Sequence, residues 1–208
     1  MIALFDFDGV LMDTETQYTR FWNEAGRRFV DIDDFGLKIK GQTLVQIMEK
    51  YFSGHSEEDR RLVVDLINDF EKNMAFEFIP GAWDFLTELK KAGVPTAIVT
   101  SSNKQKMAQV YKAHPQLSSM VDAILTSEHF SRSKPDPECF LKGMEVLGGK
   151  PEETLVFEDS IHGLNAGRAS GAYVIGLATT NPREVIEPMC DLVIDDFRNF
   201  TLADCKKL

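Results

Sequence analysis

The 208-residue sequence predicts an α/β fold: a parallel sheet with helices on both faces, and a helical module inserted after the first strand. Three observations predict it. An apolar, β-prone run, Ile2–Phe7, starts almost at the N-terminus. Residues 14–78 carry helical periodicity and no convincing strand. From Pro80-Gly81 onward, helical and strand patterns alternate, which implies parallel strands joined by crossover helices.

Each element has its own warrant. Ile2–Phe7 is apolar on both faces, as a central, buried strand must be. Tyr18, Phe21, Trp22, Ala25 and Phe29 form a helical stripe, of which Phe21, Trp22 and Phe29 read as core, and Leu44, Ile47, Met48 and Tyr51 form a second. Leu62, Val63, Leu66, Ile67, Phe70 and Met74 form a third, with Ser56 as its cap and Asp59 three residues on, in imitation of a capping box. After Pro80-Gly81 a helix over Ala82–Ala92 leads to a strand over Val94–Thr100. A helix over Lys104–Lys112 leads to Val121–Thr126, and one over Pro137–Leu147 leads to Thr154–Phe157. A helix over Ser160–Ala169 ends at Gly171, followed by strands at Ala172–Leu177 and Leu192–Ile194. Gly163, Ala166, Ala169 and Gly171 read as packing residues against the sheet. The expected organisation is a Rossmann-like core of residues 1–13 and 80–208 with a helical module at 14–79. The connections near Leu11–Thr14 and Phe78–Gly81 would lie close together as a hinge, with Asp13 in a supporting role.

Composition bounds the function. Lys plus Arg total 23 and Asp plus Glu 33, a net charge of −10. Such a chain has no general attraction to nucleic acid or anionic membrane, and neither partner is expected. An anionic substrate needs a local device: a bound cation, a few lysines or backbone N–H groups. Cys139, Cys190 and Cys205 are far apart and show no metal spacing, so they read as reduced thiols in a cytoplasmic protein. No signal peptide or membrane span is read from the sequence.

In parallel α/β sheets, ligands bind beyond the carboxyl ends of the strands. Those ends carry Asp6-Phe7-Asp8-Gly9, then Thr100-Ser101-Ser102, then Lys134, then Glu158-Asp159-Ser160. Clustered carboxylates suit Mg²⁺, a hard cation with oxygen ligands at roughly 2.1 Å. Asp6 and Asp159 would bind it directly, with the Asp8 backbone carbonyl, while Glu158 either binds it or supports the ligands. A carboxylate is also a nucleophile toward phosphorus. Lys134 adds positive charge, and Thr100 or Ser101 can donate to phosphate oxygens. Asp8, two residues from Asp6 and sharing its direction, can protonate a leaving alcohol and deprotonate water. His162 reads as a helix-surface residue or a support behind the metal ligands rather than a catalytic group.

FDFDGVLMDT, VTSSN, SKPDP and FEDSIHGLNAGRASGA, in that order, resemble the four signature motifs of the haloacid dehalogenase superfamily. The helical insert resembles the type-one cap of its phosphatase-like branch, which includes phosphoglycolate and sugar-phosphate phosphatases and β-phosphoglucomutases. The resemblance implies that Asp6 is the nucleophile and Asp8 the acid/base. It implies that Thr100 holds phosphate, that Lys134 bridges phosphate and nucleophile, and that Asp159 with Glu158 binds Mg²⁺. An Asp at position 8 argues against dehalogenation. The mutases carry a cap Arg where Lys40-Gly41-Gln42-Thr43-Leu44 places Leu44, and a His where this chain has Tyr18, so the balance falls on hydrolysis. Lys40, Gln42 and Thr43 are the expected substrate-selecting residues. The resulting expectation is a monomeric, Mg²⁺-dependent phosphatase of a small phosphorylated metabolite, a sugar or polyol phosphate. A sugar phosphomutase, or a non-enzymatic binding protein on the same fold, are the alternatives.

Overall fold

The computed structural model describes residues 1–40 and 42–207; Gly41, in the segment compared with the mutase loop, lies outside them, as does Leu208. The elements are β1 Ile2–Phe5, α1 Glu15–Ala25, a π-helical turn Gly26–Val30, α2 Phe35–Lys38, α3 Leu44–Tyr51, α4 Glu57–Lys72, α5 Ala82–Lys91, β2 Thr96–Val99, α6 Lys104–Ala113, α7 Leu117–Met120 and β3 Ala123–Leu125. They continue with α8 Glu138–Leu147, β4 Thr154–Glu158, α9 Ile161–Ala169, β5 Tyr173–Leu177, α10 Arg183–Ile186, β6 Leu192–Ile194 and α11 Leu202–Cys205. The strands form one parallel sheet in the order β3-β2-β1-β4-β5-β6. The chain winds outward from β1 in one direction and from β4 in the other. The crevice for a ligand therefore opens at the carboxyl ends of β1 and β4.

Strand β1 is central because both of its faces are apolar. Ala3 and Phe5 pack with Phe85 and Leu86 of α5 and Met107 and Val110 of α6. Ile2 and Leu4 face Phe140 and Met144 of α8 on the other side. Phe5 stacks on Phe157 of β4 with ring centroids 4.4 Å apart. Each such buried side chain contributes about 1.5–3 kcal/mol.

The helices between Glu15 and Lys72 surround a separate apolar cluster of Trp22, Phe35, Ile47, Phe52, Val63 and Ile67. Ser56 caps α4 by accepting the Asp59 N–H at 3.1 Å. The Asp59 carboxylate takes the Ser56 hydroxyl rather than its N–H, so the reciprocal bond of a capping box does not form. That box closes instead on α3, where Thr43 and Gln46 cap each other. The two connections run side by side: Met12 and Phe78 form an antiparallel bridge, and Asp13 N–H donates to Glu77 O at 2.8 Å.

Several expected boundaries shift. The ladders of β1, β2 and β3 end two residues or one residue early, where the backbone turns toward the crevice. The four-residue helices α2, α7, α10 and α11 are too short to register as periodicity. Ala169 and Gly171 are exposed, not packed on the sheet, because α9 is already leaving it there. Gly163 is buried for a different reason: a Cβ there would collide with the Glu158 carboxylate. Among the described residues no helix is long and apolar enough to cross a membrane. Cys139, Cys190 and Cys205 are all free thiols.

Candidate active site

Beyond the ends of β1 and β4 the backbone brings three carboxylates together. The Asp6 N–H still donates to Phe157 O at 3.0 Å, so Asp6 is held beside the Glu158-Asp159 corner. Asp6, Glu158 and Asp159 each place one carboxylate oxygen within 4.8 Å of the others, and all three are buried. Lys134 lies among them, 2% exposed, with Nζ 2.5 Å from Asp6 Oδ1 and 2.5 Å from Glu158 Oε1. Glu158 is fully occupied: its other oxygen accepts the Asp159 N–H at 2.9 Å, the Ser160 N–H at 3.0 Å and the Ser160 hydroxyl. It orients Lys134 and the start of α9. Asp159 is different, because its Oδ2 is buried and has no hydrogen-bond partner. Gly9, at φ 77°, brings the backbone so close that a Cβ would run into that carboxylate.

Three buried carboxylates with one ammonium leave negative charge uncompensated, which is costly in a low-dielectric site. Burial pushes the Asp6 carboxyl up to about 8, against the pull of Lys134. Burial, then the neighbouring Glu158 carboxylate, drives Asp159 well above the usual carboxylate range. The orphaned Asp159 oxygen beside Asp6 fits a divalent cation with oxygen ligands. No described N–H donates to the Asp8 carbonyl, which leaves that oxygen free as well.

Asp8 sits in another environment. Its carboxylate accepts from Thr14 Oγ1 and Lys106 Nζ on one oxygen and from Ser102 Oγ at 2.7 Å on the other. Burial disfavours its charge, but the Lys106 ammonium and these hydrogen bonds outweigh burial and hold it below the ordinary carboxylate range. Two neighbouring carboxylates are thus pushed in opposite directions, the pattern expected where each has a separate task.

A cavity of about 120 Å³ opens over these groups, walled by both the sheet ends and the helical module. Asp6, Asp8, Ser101, Lys134 and Asp159 form its floor; Lys40, Gln42 and Leu44 lie on the opposite wall with Glu15, Tyr18, Trp22 and Glu71. Ser101 Oγ is buried without a partner. Thr100, expected to reach phosphate, does not line the cavity; its hydroxyl accepts the Ser102 N–H at 3.0 Å and closes the turn after β2. Thr43 is also absent from the wall, because its side chain caps α3. Lys40 is present but paired, with Nζ 3.2 Å from Glu15 Oε2. His162 borders a shallower groove beside the cavity.

Sequence reasoning gave no site role to Thr14, Lys106 and Glu71, nor to the hydroxyls of Ser102 and Tyr18, whose positions it did single out. Two of them left a signal. Lys106 falls on the same stripe of α6 as Met107 and Val110 and is 1% exposed. Glu71 continues the Val63–Ile67 stripe of α4 at the same four-residue spacing. A charge on an apolar stripe needs a partner or a function.

Comparison with known proteins agrees with this geometry. A family model described as haloacid dehalogenase-like hydrolase matches residues 3–177. Hexitol phosphatase A of Escherichia coli K12 is 31% identical over 205 residues, covering 96% of this chain and 93% of that protein. Validoxylamine A 7'-phosphate phosphatase of Streptomyces hygroscopicus subsp. limoneus is 29% identical, covering 94% of this chain and 93% of that one. The solved structure of β-phosphoglucomutase from Clostridium difficile shares the fold at a TM-score of 0.81, with 23% identity and coverage of 100% and 96%. A family match over residues 3–177, most of the chain, makes this protein an enzyme of the haloacid dehalogenase-like hydrolase family.

Proposed function

We propose that the protein is a Mg²⁺-dependent phosphatase of a small phosphorylated metabolite, a sugar or polyol phosphate, and that it works through an aspartyl-phosphate. One observation carries this reading: Asp6 and Asp8 face one cavity from opposite electrostatic settings, one among carboxylates and Lys134, the other held as an anion by Lys106. Asp6, Asp159 and the Asp8 carbonyl would hold the cation, with Glu158 supporting Lys134. When bound, Mg²⁺ offsets part of the repulsion between carboxylate and phosphate.

The residues divide the work as follows. An Asp6 oxygen attacks phosphorus while the bond to the leaving oxygen breaks. Lys134 and Ser101 steady the phosphoryl oxygens. For the leaving group, Asp8 must first part from Lys106 and take up a proton from solvent, which it then gives to the leaving oxygen as the bond to phosphorus breaks. In the second half, Asp8 takes a proton from water, the water oxygen bonds to phosphorus, and the bond to Asp6 breaks. The segment 14–79 acts as a cap that closes over the site and excludes bulk water.

Leu44 on the wall and the Lys40–Glu15 pair support hydrolysis over phosphoryl return to a second position, since among the described residues Lys40, the cap lysine that lines this cavity, is already paired. The test is ³¹P NMR with Mg²⁺ and a panel of sugar and polyol phosphates, including β-glucose 1-phosphate with a trace of bisphosphate. Growth of inorganic phosphate is expected. A new sugar-phosphate resonance without free phosphate would overturn the reading in favour of a mutase.

A further inference from the structure

The wall opposite the nucleophile carries charge that the proposed chemistry does not use. Glu71 comes from the inner face of α4 and is 7% exposed. Its Oε1 accepts the Tyr18 hydroxyl at 2.8 Å, and no described residue donates to its other oxygen. Tyr18 is fixed in turn by lying over Lys106 Nζ, 4.4 Å from its ring centroid, so Glu71 is aimed rather than free. Beside it the Glu15 carboxylate is matched by Lys40.

Among the described residues, the cations that line the cavity are all committed, and Lys50 lies outside it on the neighbouring groove. Lys134 serves Asp6 and Glu158, Lys106 serves Asp8, and Lys40 serves Glu15. The remaining wall is uncharged, with the apolar side chains of Trp22, Ile39 and Leu44 beside the polar Thr19 and Gln42. A second phosphate or a carboxylate on the leaving group would meet Glu71 and find no free ammonium, and like charges at short range in a dry site are costly. Hydroxyl groups suit this wall better, because a carboxylate accepts from adjacent hydroxyls and Trp22 offers a flat apolar face to the carbon skeleton.

We propose that Glu71, held by Tyr18 and flanked by the Glu15–Lys40 pair, is the specificity-determining residue for the leaving group, selecting an uncharged polyhydroxylated one and rejecting one that bears a second anionic charge. This rests on the phosphatase reading. Discrimination then comes from repulsion of the wrong substrate as much as from attraction of the right one.

The experiment compares kcat/KM for sorbitol 6-phosphate, phosphoglycolate and p-nitrophenyl phosphate with Mg²⁺, in the parent and in Glu71→Gln and Tyr18→Phe. The parent is expected to prefer sorbitol 6-phosphate over phosphoglycolate at least a hundred-fold, on the order of two neighbouring-charge interactions. Glu71→Gln is expected to cut that ratio about ten-fold or more, chiefly by raising KM for the polyol phosphate and lowering it for phosphoglycolate. Tyr18→Phe should shift the ratio the same way by less. General damage to the fold scales both substrates together and leaves the ratio alone. A parent that hydrolyses both equally, or a Glu71→Gln ratio equal to the parent's, overturns the proposal. A parent inactive on all three, p-nitrophenyl phosphate included, overturns the phosphatase reading itself.

Discussion

Replacing Lys134 by Met removes the one ammonium that Asp6 and Glu158 share at 2.5 Å each, in a position 2% exposed. The chain length is largely kept, so the change removes the charge and with it the contact of Nζ over the Phe140 ring, 4.9 Å from its centroid. Two buried carboxylates lose their partner, and breaking a buried pair in this way costs about 3–5 kcal/mol. In a protein of this size each kcal/mol lowers the melting temperature by about 2–4 °C, so a fall of roughly 6–20 °C is expected. The assay is thermal unfolding by circular dichroism in chelator and again in excess Mg²⁺. A cation that binds only the folded state at one hundred times its Kd adds about 2.7 kcal/mol, or roughly 5–11 °C. The variant should gain more from Mg²⁺ than the parent does, because its carboxylates have no other counter-charge. A variant melting within about 3 °C of the parent in chelator would refute the reasoning, since that corresponds to about 1 kcal/mol.

Other outcomes follow from the same geometry. Asp6→Asn should abolish turnover, and substantial phosphate release by that variant would sink the aspartyl-phosphate route. Ser101→Ala should weaken inhibition by inorganic phosphate about ten-fold, on the order of a hydrogen bond to a charged group, while Thr100→Val should change it little; the reverse order would reinstate Thr100. Without metal, stability should fall as pH rises. The folded Asp6 carboxyl, at about 8, lies above its unfolded value, so its contribution is full in acid and lost as pH climbs toward that value. The raised Asp159 acts in the same direction, and Asp8, held low, contributes no change above pH 5. Urea midpoints in chelator should therefore drop between pH 5 and about 8.5, and Mg²⁺ should flatten the profile; a flat profile in chelator would contradict the assigned charges.

The sheet and the floor of the site were legible because they rest on local signals. Ile2–Phe5 is apolar on both faces, and Asp6, Lys134 and Asp159 each end a recognisable strand pattern or lie in the loop after one. What was not legible depends on which way a side chain turns. Thr100 and Ser101 are adjacent hydroxyls of similar chemistry, and only the closed turn after β2 decides that Thr100 serves the backbone and Ser101 the cavity. Thr43 is read from the sequence as a selector; in the structure its hydroxyl starts a helix and also accepts the Ser133 hydroxyl at 3.3 Å. The wall opposite the nucleophile was hardest, because Tyr18, Glu71 and Lys106 lie far apart in sequence and meet only when α1 and α4 are laid against α6.

The bridge between Met12 and Phe78 has an evolutionary consequence. Cross-strand neighbours of this kind have Cα atoms about 4.5–5.5 Å apart, a gap that a two-residue turn can span. The order of the six strands is indifferent to whatever lies between those two residues. An ancestral chain could therefore lengthen, replace or discard the intervening helices without re-routing the sheet or moving Asp6, Lys134 and Asp159. If selectivity rests on that module, new substrates can be sampled there while the sheet stays in place, with Thr14 and Tyr18, which touch Asp8 and Lys106, as the ties to be kept.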